Sequence, residues 1–331
     1  MRRRRRRTVL VMAVALLVVA LGATTTWAMK RSPTIESMGA ATRLVTVKDV
    51  RPGLIPPNAV TPTPKVTPKA TIAAMGTKTV NNVTCTYPQG SAKATTVAVE
   101  LQSKIWAAVS SNTGRMGASV YDWNTNVWCS YGGAHTFDSA SIIKATTLAT
   151  LLWQAQKADR PLTATEQSWA TAAITESDDT AQSNMWSDVG YGAGVSTFLS
   201  AAGMNQTTID PAGDWGLTQV TAHDQVVLLR ALADPGLLSA ASRNYELTLM
   251  RSVEADQRWG VSADAPDGAT VANKNGWLPG AAGGWTINSI GLITGSGHKY
   301  AIAVLSDTNP SMSVGVERVE EVSDAINDAL T

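Results

Sequence analysis

The sequence predicts an α+β fold, and three observations carry that reading. Apolar residues recur at helical spacing over 97–111 and again over 314–330, giving a helix at each end of the folded region. Strand-like segments fall just inside those helices, at 116–121 and 127–131 on one side and at 270–278, 285–294 and 300–307 on the other. The stretch between, from Ser141 to Ala201 and beyond, is helical in pattern and interrupted near Pro161 and Gly190. An antiparallel sheet assembled from both ends of the chain, flanked by terminal helices and carrying a reduced all-helical lobe, is the expected arrangement.

Each element has a local reason. The two early strands flank Asp122-Trp123-Asn124-Thr125-Asn126, a turn-forming run. Gly295-Ser296-Gly297 separates the last two strands in the same way. Upstream of residue 96 the composition changes. Pro52, Pro56, Pro57, Pro62, Pro64 and Pro68 are interspersed with Thr and Lys, so residues 30–95 read as a semi-rigid linker. Residues 1–29 begin with six arginines (2–7), followed by an apolar run over 9–23 and Thr26-Trp27-Ala28. That is the pattern of an export signal that is either cleaved or kept as a membrane anchor. The folded domain is expected to span 96–331.

Composition narrows the function classes. The chain has 331 residues, 44% hydrophobic and 16% charged, which fits a folded protein with a sizeable core. Its formal charge of +1 hides an asymmetry: without the arginines at 2–7, the rest carries 21 bases against 26 acids, a formal −5. An acidic body of this kind argues against nucleic acid as a partner. The two cysteines and three histidines are too scattered for a zinc or iron–sulfur site, and no phosphate-binding glycine motif occurs. No metal or cofactor is therefore expected.

Three short motifs carry the candidate chemistry. Ser141-Ile142-Ile143-Lys144 opens an apolar helical run, and residues three apart in a first turn share one face, so Lys144 can approach the Ser141 hydroxyl. Ser296 also has a lysine three residues on, but it lies in a glycine-rich turn with no helix to hold the pair. Ser177-Asp178-Asp179 follows Ile174-Thr175-Glu176; read alone, it is a helix cap. Lys274-Asn275-Gly276 sits on an expected strand, ahead of Trp277. A serine–histidine mechanism is disfavoured, because no GxSxG occurs and His135 reads as a surface residue.

In this order, and on these elements, the motifs resemble those of the penicillin-recognising serine hydrolases, the superfamily of class A β-lactamases and D-alanyl-D-alanine peptidases. The resemblance covers about residues 96–331. It implies a β-lactamase-like fold, with Ser141 as acylated nucleophile and Lys144 as base or proton relay. Ser177 would pass a proton to the leaving nitrogen, and Lys274 would hold a substrate carboxylate. Asp179, Asn275, Gly276 and Trp277 would contact substrate, with the backbone N–H groups of Ser141 and Trp277 forming an oxyanion hole. Three departures stand out. Asp179 replaces an asparagine, so an amide donor to the substrate is lost. Asn275 replaces a threonine. No glutamate occurs over 203–216, where class A enzymes carry the base for deacylation; Asp210 and Asp214 are the carboxylates there.

These readings lead to an exported or membrane-tethered serine hydrolase, extracellular or at the cell surface, expected to be monomeric. Its substrate would be a β-lactam or a peptidoglycan peptide, with weak deacylation. A non-catalytic domain that binds cell-wall peptide, or a D,D-peptidase, is the alternative. Cys85 and Cys129 are expected to form a disulfide, since export places a lone pair in an oxidising compartment. Of the eleven tryptophans, Trp106, Trp153, Trp169 and Trp186 are expected in the core. Trp215, Trp277 and Trp285 fall near the cleft, either lining a sugar or peptide groove or packing under loops.

Overall fold

The computed structural model describes residues 73–280 and 283–331. The expected export segment over 1–29 and most of the linker lie outside those residues. A seven-stranded antiparallel sheet has strand order β1-β2-β4-β3-β9-β8-β7. Its strands are β1 (Met75–Val80), β2 (Val83–Pro88), β3 (Arg115–Asp122), β4 (Val127–Tyr131), β7 (Thr270–Pro279), β8 (Trp285–Gly295) and β9 (His298–Asn309). The terminal helices α1 (Ala92–Ser110) and α8 (Met312–Leu330) cover one face. Leu101, Ile105, Val120, Ile302, Val322 and Ile326 interlock there with no solvent exposure.

The other face carries the helical lobe: α2 (Ile143–Lys157), α3 (Ala164–Thr171), α4 (Asp179–Asp188), α5 (Tyr191–Ala202), α6 (Ala222–Ala233) and α7 (Ala240–Arg251). A two-residue pair, β5 (Phe137–Asp138) with β6 (Gln219–Val220), joins lobe and sheet. Helix α2 is buried around its whole circumference from Ile143 to Leu152, as its run of Ala, Thr and Leu dictates. It is the axis around which the lobe packs, and Trp186 and Phe198 fill the core beside it.

One boundary is corrected. The linker expected to reach residue 95 ends by residue 73, because β1 and β2 join the sheet and α1 starts at Ala92 rather than at 97. The signals were present but overshadowed by the proline and threonine content upstream. Asn81 and Asn82 both adopt left-handed backbone, with φ of 50° and 61°, as a two-residue hairpin turn requires. Val83 and Cys85 point inward while Thr84 and Thr86 alternate outward. Ser91 caps α1 by accepting from the Ala94 N–H at 3.2 Å.

The hairpin is fastened covalently. Cys85 lies directly opposite Cys129 in the β2–β4 register, and the two form a disulfide. The bridge closes a loop of 44 residues. Replacing both cysteines by serine should lower unfolding free energy by about 2–4 kcal/mol, mainly through the unfolded chain. Urea unfolding of the double variant against the natural protein measures that loss.

Candidate active site

Ser141 sits in a 3-10 turn, Ala140–Ile142, immediately before α2 rather than within it. Four hydrogen bonds fix that turn. Ser139 donates its N–H to the Thr218 carbonyl at 2.9 Å and its hydroxyl to the Trp215 carbonyl at 3.1 Å. Asn288 of β8 donates its side-chain amide to the carbonyls of Asp138 at 2.8 Å and Ser139 at 3.1 Å. Ala140 takes a left-handed φ of 47°, a conformation that an alanine adopts only under external constraint.

Strand β7 is the edge strand beside this turn, and its residues alternate in direction. Lys274 and Gly276 face the turn. A Cβ at Gly276 would stand 2.7 Å from the Ser141 nitrogen and 2.8 Å from the Ile142 nitrogen. Only glycine lets the strand come this close.

Asn275 and Trp277 face the other way by the same alternation. The Asn275 amide donates to the carbonyls of Gln257 at 2.8 Å and Trp259 at 3.1 Å, and its oxygen accepts from the Ser289 hydroxyl at 2.6 Å. The polar atoms of this side chain, expected to contact substrate, are all bonded within the protein, where they hold β7 in place. The Trp277 ring packs against Trp259, centroids 6.0 Å apart.

Ser177 ends a π-helical turn, Ala172–Glu176, again in a left-handed conformation, with φ of 59°. Such bulges recur at functional sites. The cap of α4 is Asp178, whose carboxylate accepts from the Ala181 N–H at 2.6 Å. That frees the Ser177 side chain, which lies between two fully buried lysines. Lys144 Nζ is 3.2 Å from the Ser177 hydroxyl and Lys274 Nζ is 2.9 Å from it.

Lys144 also donates to the Ser177 carbonyl at 2.5 Å and to Asp179 Oδ1 at 2.6 Å. An ammonium has three hydrogens, so these bonds occupy all of them. Among the described residues no hydrogen bond joins Lys144 to the Ser141 hydroxyl. Two effects oppose each other at this amine. Burial lowers its pKa and is the larger, while the bond to Asp179 and that residue's charge raise it. At Lys274 burial, reinforced by the Lys144 charge and opposed by Asp179, brings the pKa down to about 7.

Of the remaining sequence candidates, Trp215 touches this centre. The Trp215 ring lies over Lys144, 5.2 Å from Nζ. Asp210 accepts the backbone N–H groups of Ala212 and Asp214, at 3.0 and 3.1 Å, and Asp214 accepts that of Gly216 at 3.0 Å. Both carboxylates are engaged in shaping their own loop. His135 pairs with the Met116 carbonyl, and Ser296 sits in the β8–β9 turn. Sequence reasoning missed Ser139 and Asn288, whose roles depend on contacts with the loop at 215–218 and with the turn at 138–139.

The comparisons with known proteins agree with the fold. The sequence profile of the Beta-lactamase enzyme family matches residues 156–330, and the chain belongs to that family. The matched segment includes Ser177, Asp179 and Lys274, while Ser141 and Lys144 lie ahead of it. Solved structures share the fold at low identity. A class A β-lactamase from Bacteroides cellulosilyticus is 16% identical with a TM-score of 0.62, over 70% of this chain and 97% of its own. A β-lactamase from Xanthomonas campestris is 18% identical with a TM-score of 0.61, over 71% and 99%. PBP-A is 22% identical with a TM-score of 0.61, over 69% and 95%. No curated protein matches the chain.

The glycine contact gives a sharp expectation. Gly276→Ala must push β7 off the 3-10 turn and should cost about 1–3 kcal/mol of stability, as overpacking does. Labelling of Ser141 by a fluorescent penicillin should fall far more steeply than thermal stability, since the displaced backbone is that of Ser141 itself.

Proposed function

We propose that this protein is an exported serine hydrolase of the β-lactamase and penicillin-binding type, acting through an acyl-enzyme on Ser141. The observation that carries the reading is the convergence of Lys144 and Lys274 on the Ser177 hydroxyl, beside the turn that presents Ser141. The Ser141 oxygen adds to the substrate carbonyl, and its proton goes to Lys144 in the amine form. Lys144 returns a proton to Ser177, which delivers its own to the departing nitrogen as the C–N bond breaks. The N–H groups of Ser141 and Trp277 would face the developing oxyanion. Lys274 would hold the substrate carboxylate. The Cys85–Cys129 disulfide supports an oxidising location, and hence export.

Deacylation is expected to be slow. A base poised over the hydrolytic water contributes typically ~10²–10⁴-fold, and the two carboxylates of the 203–216 loop cap their own backbone. The Lys144–Asp179 bond acts on the earlier step, because a lysine held as ammonium takes no proton from Ser141, and so it slows acylation. The missing deacylation base favours behaviour nearer a penicillin-binding protein than an efficient β-lactamase. Intact-mass measurement with benzylpenicillin tests the reading. A long-lived adduct should form on the natural protein and on Ser296→Ala, and be absent from Ser141→Ala; clearance within milliseconds would refute slow deacylation.

The Lys274 pKa sets a second expectation. The group is cationic below about pH 7 and neutral above it in the free protein. Affinity for a carboxylate-bearing substrate should therefore decline as pH rises through about 7, and Lys274→Arg, charged throughout, should flatten that limb. Acylation rates measured against pH for both proteins provide the check.

A further inference from the structure

We infer that Asp179 makes this site selective for acyl donors that carry an ammonium group on the acyl side chain. The inference rests on the acyl-enzyme reading above and adds the substrate class. Asp179 opens α4 at the edge of the cleft, across the Lys144–Ser177 pair from Lys274. One of its oxygens accepts from Lys144, whereas its side chain as a whole is 74% exposed. The fully buried lysine fixes where the carboxylate stands, and the second oxygen is left to whatever enters the cleft.

The chemistry of that oxygen is one-sided. An asparagine here would offer an amide hydrogen to a substrate carbonyl; an ionised carboxylate only accepts. A carbonyl facing it gains nothing, and an ammonium gains a charge-assisted bond. The N-terminus of α4, with about half a positive charge, and the Lys144 ammonium oppose this in part, but Asp178 and Asp179 each bring a full negative charge to the same turn, and it is the exposed Asp179 carboxylate that an incoming group meets. Lys274 supplies the positive end of the site and Asp179 the negative end. A matching substrate is zwitterionic, with its carboxylate on the leaving side and its ammonium on the acyl side.

Ampicillin and benzylpenicillin differ by a single α-amino group on the acyl side chain and share the carboxylate. Any titration of Lys274 therefore acts on both and cancels in their ratio. Acylation rates for the two are measured by intact mass on the natural protein and on Asp179→Asn. At about pH 6.5, below the range near 7.7–8.0 where α-amino groups titrate, ampicillin should react faster by about fivefold, the scale of an exposed ion pair. The preference should vanish in Asp179→Asn, and in the natural protein at about pH 9. Equal rates on the natural protein at the lower pH, or a preference that survives Asp179→Asn, would overturn the inference and leave the acyl-enzyme reading standing. If neither drug forms an adduct on the natural protein, the acyl-enzyme reading falls and takes this one with it. Should Asp179→Asn react with neither drug, the pH series on the natural protein decides alone.

Discussion

Two lysine side chains with no solvent exposure meet at one serine hydroxyl, and much of the structure around the cleft follows from accommodating them. A buried ammonium is costly unless every hydrogen finds an acceptor. Lys144 finds its three in the Ser177 carbonyl, the Ser177 hydroxyl and Asp179. Lys274 has the same hydroxyl and the Asn275 carbonyl, and its charge is weakened instead. The two amines cannot both be fully charged at low cost, and burial lowers the pKa of each. In the proposed acyl transfer, a proton must be taken from one heteroatom and given to another.

Holding this pair together requires backbone that would not adopt its shape unaided. Ala140 and Ser177, adjacent to or within the motifs, both have positive φ. Each such residue costs about 1–3 kcal/mol, offset by Asn288 and Ser139 on one side and by the capped α4 helix on the other. Gly276 completes the frame by letting an edge strand lie against the amide nitrogen of Ser141. The glycine is thus a packing requirement of this strand.

Asp179 is where this protein departs most from the pattern it resembles. A carboxylate paired with the buried lysine strengthens the ammonium form of Lys144 and turns a hydrogen-bond donor position into an acceptor. In the proposed mechanism the same residue therefore bears on both proton transfer and substrate choice. The Asp210 and Asp214 side chains, for their part, accept backbone N–H groups of their own loop.

The sequence by itself determined the fold class, the order of the three motifs and the pairing of the two cysteines. Helical and strand periodicities are local, and SxxK works within one turn, so neighbours along the chain carry the information. It misjudged the start of the domain because the alternation in β1 and β2 is only a few residues long and follows a proline-rich stretch. Only the tertiary structure decided which way each side chain of the lysine strand faces. Alternation puts Lys274 and Gly276 towards Ser141, and removes Asn275 to the opposite side. It also decided that Lys144 bonds Asp179 rather than Ser141, and that Ser139 and Asn288 fix the nucleophile's turn. These contacts join residues 35 to 150 positions apart, and no local pattern in a sequence records the packing that brings them within hydrogen-bonding distance.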